Sequence, residues 1–214
     1  MSTEQEKFWL SNFGADYIDR SPGDTKNNLA FFTKALRNIQ PIEDMIEFGA
    51  GSGSNLTAIG ALLPGVFLNS VELNPEAVER QPKFVTKHTG SMFDVEVDSY
   101  DLVITKGLLI HIHPDHLQRA YNIIYHASDR YILLCEYYSP NETMIHYRGH
   151  NDKLWKRDFA GEMLDKFKDL RLIDYGFTYN RDNHWPQDDI NWFLLEKFRR
   201  ISNEKHDRYR NFSP

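Results

Sequence analysis

A glycine-rich run at residues 47–53, Glu-Phe-Gly-Ala-Gly-Ser-Gly, constrains the fold of this chain more than any other stretch. The apolar segment 44–48 leads into the glycines, and an apolar pattern of helical spacing follows from residue 54. This order predicts a strand, a tight turn and a helix start, where backbone N–H groups approach a ligand closely. Glycine suits such a turn because a Cβ atom would block both the turn and that approach.

An acidic residue ends the next apolar run. Glu72 stands where a carboxylate can accept hydrogen bonds from both hydroxyls of a ribose. A dinucleotide-binding turn needs a small residue three places after its second glycine, and the two possible frames place Ser54 and Leu56 there. No Gly-Lys-Ser/Thr sequence follows that would cradle phosphates. These residues favour a nucleoside ligand without a pyrophosphate, and the alternative is a glycine-rich turn that binds nothing.

Charge and cysteine content narrow the class of protein. The chain has 214 residues, a net charge of -6 and a pI near 5.8, which disfavours broad binding to nucleic acids or anionic membranes. Its one cysteine, Cys135, excludes an internal disulfide and lies in an apolar run, so we expect a buried thiol. No secretion signal opens the chain and no apolar run could span a bilayer. We therefore expect a soluble, cytoplasmic protein without a metal site.

Strand and helix patterns alternate regularly along the chain. Strands are predicted at 44–48, 66–73, 84–88, 101–105, 131–136, 170–175 and 191–196. Helices are predicted within 4–20 and at 28–37, 54–63 and 154–167, and Asn74 and Pro114 open two more. This order indicates an α/β fold, a three-layer αβα sandwich with a seven-stranded, mostly parallel Rossmann-like sheet whose last strand is antiparallel. We expect one domain, with a helical cap at 1–38, a core at 39–198 and a polar basic tail at 199–214.

The carboxyl ends of the parallel strands are predicted to ring a single site, because open parallel sheets bind ligands there. Ser91 and Met92 would flank the base of the ligand, with Met92 as an apolar platform and the nearest acid at Asp94. The residues predicted to bind this ligand are Glu47, Phe48, Gly49, Ala50, Gly51, Gly53, Glu72, Leu73, Asn74, Ser91, Met92, Lys106 and Gly107.

The acid that opens Glu-x-Gly-x-Gly-x-Gly resembles the first motif of class I S-adenosylmethionine-dependent methyltransferases. Further stretches are similar to the methylases associated with pseudaminic acid biosynthesis, and they lie at 71–75, 105–112, 136–138, 147–150, 156–161 and 187–192. The resemblance covers nearly the whole chain. It implies S-adenosylmethionine as cofactor, S-adenosylhomocysteine as product and an acidic, sugar-like small molecule as acceptor, with O- and N-methylation both open. No nucleic-acid or membrane partner is expected.

Methyl transfer to an alcohol or an amine needs a base that faces the methyl donor, which contributes about 10²–10⁴-fold to the rate. His111, just past the fourth strand, is the first candidate because histidine titrates near neutral pH. The alternative is a histidine that only bonds the backbone and shapes the pocket. Glu136, at the end of the fifth strand, is the second candidate, while His113 before a proline is predicted to cap a helix.

Aromatic and basic residues near these strand ends are predicted to bind the acceptor. Arginine and histidine in the loop around residue 148 would suit an anionic group, although a solvated, internally paired loop is the alternative. The residues assigned to the acceptor are Tyr17, Arg20, Tyr137, Tyr138, Arg148, His150 and Trp185. Two other functions stay open, a methyltransferase for another small amine or carboxylate and a cofactor-binding protein without turnover.

Overall fold

The computed structural model describes residues 2–20 and 23–198, except for the side chain of Ala15. The predicted polar tail at 199–214 lies outside the described residues. Seven α-helices are found in the described part: α1 Glu4–Trp9, α2 Asn12–Arg20, α3 Thr25–Ala35, α4 Ser54–Leu62, α5 Pro75–Arg80, α6 Pro114–Ala127 and α7 Phe159–Lys166. None of them is long and apolar enough to cross a membrane.

Seven strands form the main sheet: β1 Asp44–Phe48, β2 Phe67–Glu72, β3 Thr86–Thr89, β4 Tyr100–Lys106, β5 Ser128–Glu136, β8 Leu170–Phe177 and β9 Asn191–Lys197. They are arranged in the order β3-β2-β1-β4-β5-β9-β8. Every pairing is parallel except those of β9, which runs antiparallel to both β5 and β8. The predicted α/β fold with one antiparallel last strand is thereby confirmed.

Two apolar clusters hold the layers together, one on each face of the sheet. On one face, α3 and α4 pack with Phe32, Leu56 and Ile59 fully buried against the inner strands. On the other face, α6 and α7 pack through residues that include Tyr121 and Met163. Each fully buried large apolar side chain stabilises the fold by about 1.5–3 kcal/mol. Cys135 is a buried free thiol within the first cluster, as the apolar run predicts.

The region before α7 differs from the predicted helix at 154–167. The helix begins only at Phe159, because Asp158 is its N-cap. The Asp158 side chain accepts a hydrogen bond from the Gly161 N–H at 2.8 Å. Residues 155 and 156 instead form a short strand, β7 Trp155–Lys156, which pairs antiparallel with β6 Thr143–Met144. The capping aspartate sets the helix start, although the apolar spacing extends further back.

The N-terminal helices α1 and α2 lie over the loops at the carboxyl edge of the sheet. Gln5 donates a hydrogen bond to the Asp152 carbonyl at 3.2 Å, and Arg80 forms an ion pair with Asp19 at 2.7 Å. The ring of Phe8 packs edge-on against His150 with centroids 4.9 Å apart. In contrast, α3 belongs to the core, so the covering part of the predicted cap is limited to α1 and α2.

Candidate active site

A cavity of about 460 Å³ opens at the carboxyl ends of β1, β2 and β4, beneath α1 and α2. This volume lies within the range of small-molecule sites, which is about 300–1,000 Å³. Main chain of the glycine turn forms part of its wall, and Trp9, Tyr17 and Ile18 contribute from the covering helices. The site therefore lies where the topology of a parallel sheet places ligands.

The glycine turn is built from left-handed backbone. Gly49, Gly51 and Gly53 have φ angles of 72°, 53° and 79°, which only glycine adopts without a steric cost. A Cβ atom at Gly49 would lie 2.9 Å from the Leu108 side chain, whereas one at Gly51 would meet no atom within 4 Å. Because Gly51 also lines the cavity, its bare main chain leaves room for a ligand to approach directly.

Glu72 lies on the cavity wall next to this turn. Its carboxylate accepts a hydrogen bond from the Gly51 N–H at 2.8 Å and from the Asn74 N–H at 2.8 Å. Each carboxylate oxygen has two lone pairs, so both oxygens keep the capacity to accept a hydrogen bond from a ligand hydroxyl. Burial raises the pKa of Glu72, and the two N–H donors oppose that effect.

Glu47 lies one layer below the cavity and does not line it. Its Oε1 accepts a hydrogen bond from the Asn55 side chain at 2.6 Å, and Asn55 does line the cavity. The Oε2 atom is buried and has no hydrogen-bond partner among the described residues. Burial raises the pKa of Glu47 to about 7. The Glu47 carboxylate therefore acts on the cavity through Asn55, whose side chain it holds at the wall.

Comparison by sequence finds no matching family pattern and no similar curated protein. Comparison of the fold finds solved structures of methyltransferases. One is the 1,6-didemethyltoxoflavin-N1-methyltransferase of Burkholderia thailandensis with 1,6-didemethyltoxoflavin and S-adenosylhomocysteine bound. It is 17% identical, with a TM-score of 0.64 over 92% of this chain and 91% of that one. Another is the magnesium protoporphyrin IX methyltransferase of Synechocystis PCC 6803 with S-adenosylhomocysteine bound, at 15% identity and a TM-score of 0.63, over 90% of this chain and 97% of that one.

A third is the mitomycin 7-O-methyltransferase, at 14% identity and a TM-score of 0.63, over 91% of this chain. This chain has a methyltransferase fold. It spans 61% of the length of the mitomycin enzyme and nearly all of the other two. At these identities the comparison establishes the fold alone.

Most of the residues predicted to bind the cofactor surround the cavity of this methyltransferase fold. Gly49, Ala50, Gly51, Glu72, Leu73, Asn74, Ser91, Met92, Lys106 and Gly107 line it. Phe48 is buried in the sheet, and Gly53 caps the start of α4 against Pro82, so these two shape the turn from behind. Asp94 forms a 3.7 Å ion pair with Arg119 and does not line the cavity. Ser91 and Met92, which are predicted to flank the base, do line it, as does Glu72.

His111 lines the cavity from the short 3₁₀ helix Leu109–His111 that follows β4. Its Nδ1 lies 2.7 Å from the Lys153 carbonyl oxygen, which can only accept, so Nδ1 carries the hydrogen and Nε2 carries the lone pair. The ring packs against Trp9 at 4.7 Å and Tyr147 at 5.2 Å between centroids. Burial lowers the pKa of His111 to about 4, so the imidazole is neutral at physiological pH.

Glu136 has a different position from the one its predicted role requires. It is 4% exposed and does not line the cavity. Its carboxylate accepts hydrogen bonds from the backbone N–H groups of Leu108, Leu109 and Ile110 at 3.1–3.3 Å. Burial raises the pKa of Glu136 to about 7. This placement argues against a role as the base, because the side chain holds the His111 loop and does not reach the cavity.

Of the residues predicted to bind the acceptor, Tyr17 alone lines the cavity. Arg148 and His150 are exposed in a tight turn, in which His150 packs on Phe8. The remaining four residues are not part of the cavity wall either. Arg20 lies 3.9 Å from Asp16, Tyr138 packs against Phe193, Trp185 lies under the Lys26 ammonium and Tyr137 is within 3.5 Å of Asp188. The anion receptor predicted around residue 148 is therefore not part of the cavity.

Several polar residues outside the set assigned to the site line the cavity. They include Asp24, Asn27, Asn28, Asn55, Gln187 and Asp188. The sequence of the loop 185–189, with an aromatic residue and two acids, is one that could bind sugar hydroxyls or form an ordinary turn. Asn28 is buried on the apolar face of α3 and donates a hydrogen bond to the Ser54 hydroxyl at 3.3 Å. A polar residue inside an apolar helical stripe is a detectable signal in the sequence. Gln187 and Asp188 carry no such periodic signal, because they lie in a connection between strands.

No group of three or more His, Cys, Asp or Glu side chains within residues 2–20 and 23–198 could hold a metal ion.

Proposed function

We propose that this protein is an S-adenosylmethionine-dependent methyltransferase that acts on a small molecule. The observation that carries the proposal is the position of Glu72, whose carboxylate lies on the cavity wall and bonds the Gly51 N–H at 2.8 Å. A nucleoside in this cavity would meet an acid for its ribose hydroxyls and bare main chain for the rest. Solved methyltransferase structures of this fold that hold S-adenosylhomocysteine or S-adenosylmethionine support the assignment.

The residues of the chain divide into those that hold the cofactor and those that face the acceptor. Glu72 would accept the ribose hydroxyls, Met92 and Ser91 would border the adenine, and Glu47 with Asn55 would lie beneath the amino-acid part. When bound, the cofactor supplies a methyl group activated by a sulfonium. Positioning that methyl group against an acceptor contributes about 7–11 kcal/mol in ideal intramolecular systems.

We assign His111 as the base that receives the proton of the acceptor. Its hydrogen on Nδ1 is engaged by the Lys153 carbonyl, so Nε2 is the atom able to accept a hydrogen bond. The lowered pKa keeps the ring neutral at pH 7, which is the state in which Nε2 can orient a hydroxyl or amine and receive its proton.

For the acceptor we propose an acidic, sugar-like molecule of the nonulosonic acid type, on the strength of the family resemblance. The wall carries the acids Glu6, Asp24, Glu72 and Asp188 and one lysine, Lys106. Lys106 lies over the Phe31 ring at 5.7 Å and has no carboxylate partner within 4.0 Å among the described residues. It is therefore the side chain placed to meet an acceptor carboxylate, while the acids suit hydroxyl and N–H groups.

The test is calorimetry with S-adenosylhomocysteine on the wild type and on Glu72→Gln. Hydrogen bonds to a charged group contribute about 1.5–3 kcal/mol each, so we expect Glu72→Gln to weaken binding by about 10- to 100-fold. Glu79→Gln is the matched control, since Glu79 is exposed on α5 and outside the cavity. No heat from the wild type would refute the cofactor assignment.

Turnover is a separate question that labelled S-adenosylmethionine answers. The protein is incubated with the labelled cofactor and with nonulosonic acids, their nucleotide-linked forms or small amines. We expect the labelled methyl group to be transferred to one of these three classes. Binding of S-adenosylhomocysteine without transfer to any acceptor would instead identify a cofactor-binding protein.

A further inference from the structure

The connection between β8 and β9, residues 178–190, reaches the cavity because of the direction of β9. A strand that runs antiparallel to its neighbours begins where they end, so the residues before Asn191 lie at the carboxyl edge of the parallel strands. In the sheet, β9 lies beyond β5, while Glu72 lies on β2 on the other side of β1 and β4. Strands are about 4.8 Å apart, so the start of β9 lies about 19 Å across the sheet from β2.

Hydrogen bonds from several side chains hold this connection in one conformation. Asp182 accepts from the His184 and Trp185 N–H groups at 2.8 and 2.9 Å. Further along, the Asp189 carboxylate bonds the Asn180 N–H and side-chain amide at 2.9 and 3.0 Å, and Thr178 donates to the Asp188 carbonyl at 2.7 Å. The connection thus does not depend on a ligand for its shape.

The connection is also fixed to the opposite side of the cavity. Asn27, near the start of α3, donates a hydrogen bond to the Pro186 carbonyl at 2.9 Å. Pro186, Gln187 and Asp188 follow as consecutive residues of the cavity wall. A wall that is already ordered loses little conformational freedom on binding, which favours selective recognition.

Two adjacent side chains of this wall have complementary hydrogen-bonding capacity. The Gln187 Nε2 amide group, a donor, is shielded from solvent and has no partner among the described residues. Asp188 presents a carboxylate, whose side-chain contact is a long one of 3.5 Å with the Tyr137 hydroxyl. A buried donor without a partner costs about 1–3 kcal/mol, and a rotation of the Gln187 side chain that brings Nε2 to a ligand oxygen in the cavity removes that cost.

Resting on the proposed function, the geometry points to Gln187 and Asp188 as the residues that select the acceptor molecule. Gln187 donates a hydrogen bond to an oxygen of the acceptor, and Asp188 accepts one from a neighbouring O–H or N–H group. A group that carries both an acceptor oxygen and a donor hydrogen fits this pair. A vicinal diol offers them on adjacent atoms, and an acylamino group offers them on opposite sides of its amide bond. A molecule that lacks such a group is rejected because the Gln187 amide stays unpaired.

The experiment measures binding of three probes to protein saturated with S-adenosylhomocysteine, by ligand-observed NMR titration. Glucose offers diols, N-acetylglucosamine adds an acylamino group, and N-acetylneuraminic acid adds a carboxylate to both. The variants are Gln187→Met, which keeps the shape and removes the donor, and Asp188→Ala. Gln40→Met is the matched control, because Gln40 is an exposed glutamine just before β1, at the other edge of the sheet.

We expect Gln187→Met and Asp188→Ala each to weaken binding of the best probe by about three- to tenfold, since one hydrogen bond contributes about 0.5–1.5 kcal/mol. Gln40→Met should leave it unchanged, and all variants should bind S-adenosylhomocysteine like the wild type. Weaker binding of S-adenosylhomocysteine to Gln187→Met would overturn the inference by placing Gln187 in the cofactor subsite.

Probe binding that is equal in all variants would overturn it as well, and so would failure of all three probes to bind the loaded wild type. Absence of S-adenosylhomocysteine binding to the wild type refutes the proposed function instead, so the two failures are distinguishable. Among probes that bind, a preference for N-acetylglucosamine over glucose assigns the pair to the acylamino group, and equal affinities assign it to the diol.

Discussion

The variant Gly51→Ala separates the cost of backbone strain from the cost of an obstructed site. Gly51 has a φ of 53°, and an added Cβ atom would meet no protein atom within 4 Å. The fold can therefore accommodate the methyl group, and the left-handed conformation costs about 1–2 kcal/mol. In a domain of this size, 1 kcal/mol lowers Tm by about 2–4 °C, so we expect a fall in Tm of about 2–8 °C.

Cofactor binding should change by more than this strain explains. The new methyl group would project from the cavity wall into the space beside Glu72, where the proposed cofactor contacts bare main chain. Adding a methyl group to a close-packed contact costs about 1–3 kcal/mol. At 1.4 kcal/mol for each factor of ten, the affinity for S-adenosylhomocysteine should fall by about 5- to 150-fold.

Gly65→Ala supplies the matched control. Gly65 has a φ of 96°, its added Cβ would also meet no atom within 4 Å, and it lies between α4 and β2, outside the cavity wall. Thermal unfolding should show a loss of stability in both variants, larger in Gly65→Ala because a φ of 96° lies outside the left-handed region open to alanine. Calorimetry should show weakened binding in Gly51→Ala alone. Equal affinities of Gly51→Ala and the wild type would refute the reasoning that the glycine turn contacts the cofactor.

Three further variants test other parts of the site. His111→Gln should lower kcat by about 10²-fold or more. The wild-type rate should be constant from about pH 6 to 8, because a pKa of about 4 leaves His111 neutral over that range. A decline of the rate centred near pH 6.5 would contradict this assignment. The free energy of unfolding should also fall as the pH is lowered from about 6.5 towards 4, because His111 takes up a proton in the unfolded chain over this range but stays neutral in the folded protein. Unfolding measured at several pH values should show a smaller decrease for His111→Gln. Glu136→Ala should destabilise the fold by at least about 3 kcal/mol in denaturant unfolding, since three backbone N–H groups lose their acceptor, and an unchanged midpoint would disprove that role. Arg148→Gly should raise Tm by about 2–4 °C, because Arg148 has a φ of 48°, and acceptor affinity should stay the same if Arg148 lies outside the site.

The fold and the residues of the glycine turn that line the cavity could be predicted because each rests on local patterns. The run into Gly49, the acid at Glu72 and the capping residues at Asn74 and Pro114 are read within a few residues of sequence. Strand order then brings them to one edge, since parallel strands end together. All of these features occupy the predicted places.

The acceptor side could not be predicted, because it depends on side-chain direction and on distant connections. Glu136 ends β5 at the carboxyl edge of the parallel strands, as predicted. Alternate strand residues face opposite sides of the sheet, however, and the Glu136 side chain faces the His111 loop. Arg148 and Gly149 have φ angles of 48° and 88°, so the chain turns back tightly there and both residues stay outside the wall. Asp188 reaches the cavity only through the direction of β9.

Under the proposed function, the reversed direction of β9 divides the site into two parts that can change independently. The nucleoside part is formed by β1, β2 and β4, whose glycine turn tolerates few substitutions. The connection at 178–190 lies in a single hairpin that contributes nothing to those strands, so its residues can vary without disturbing the cofactor. An enzyme built in this way can acquire a new substrate through changes in one surface hairpin while its methyl-donor site stays intact.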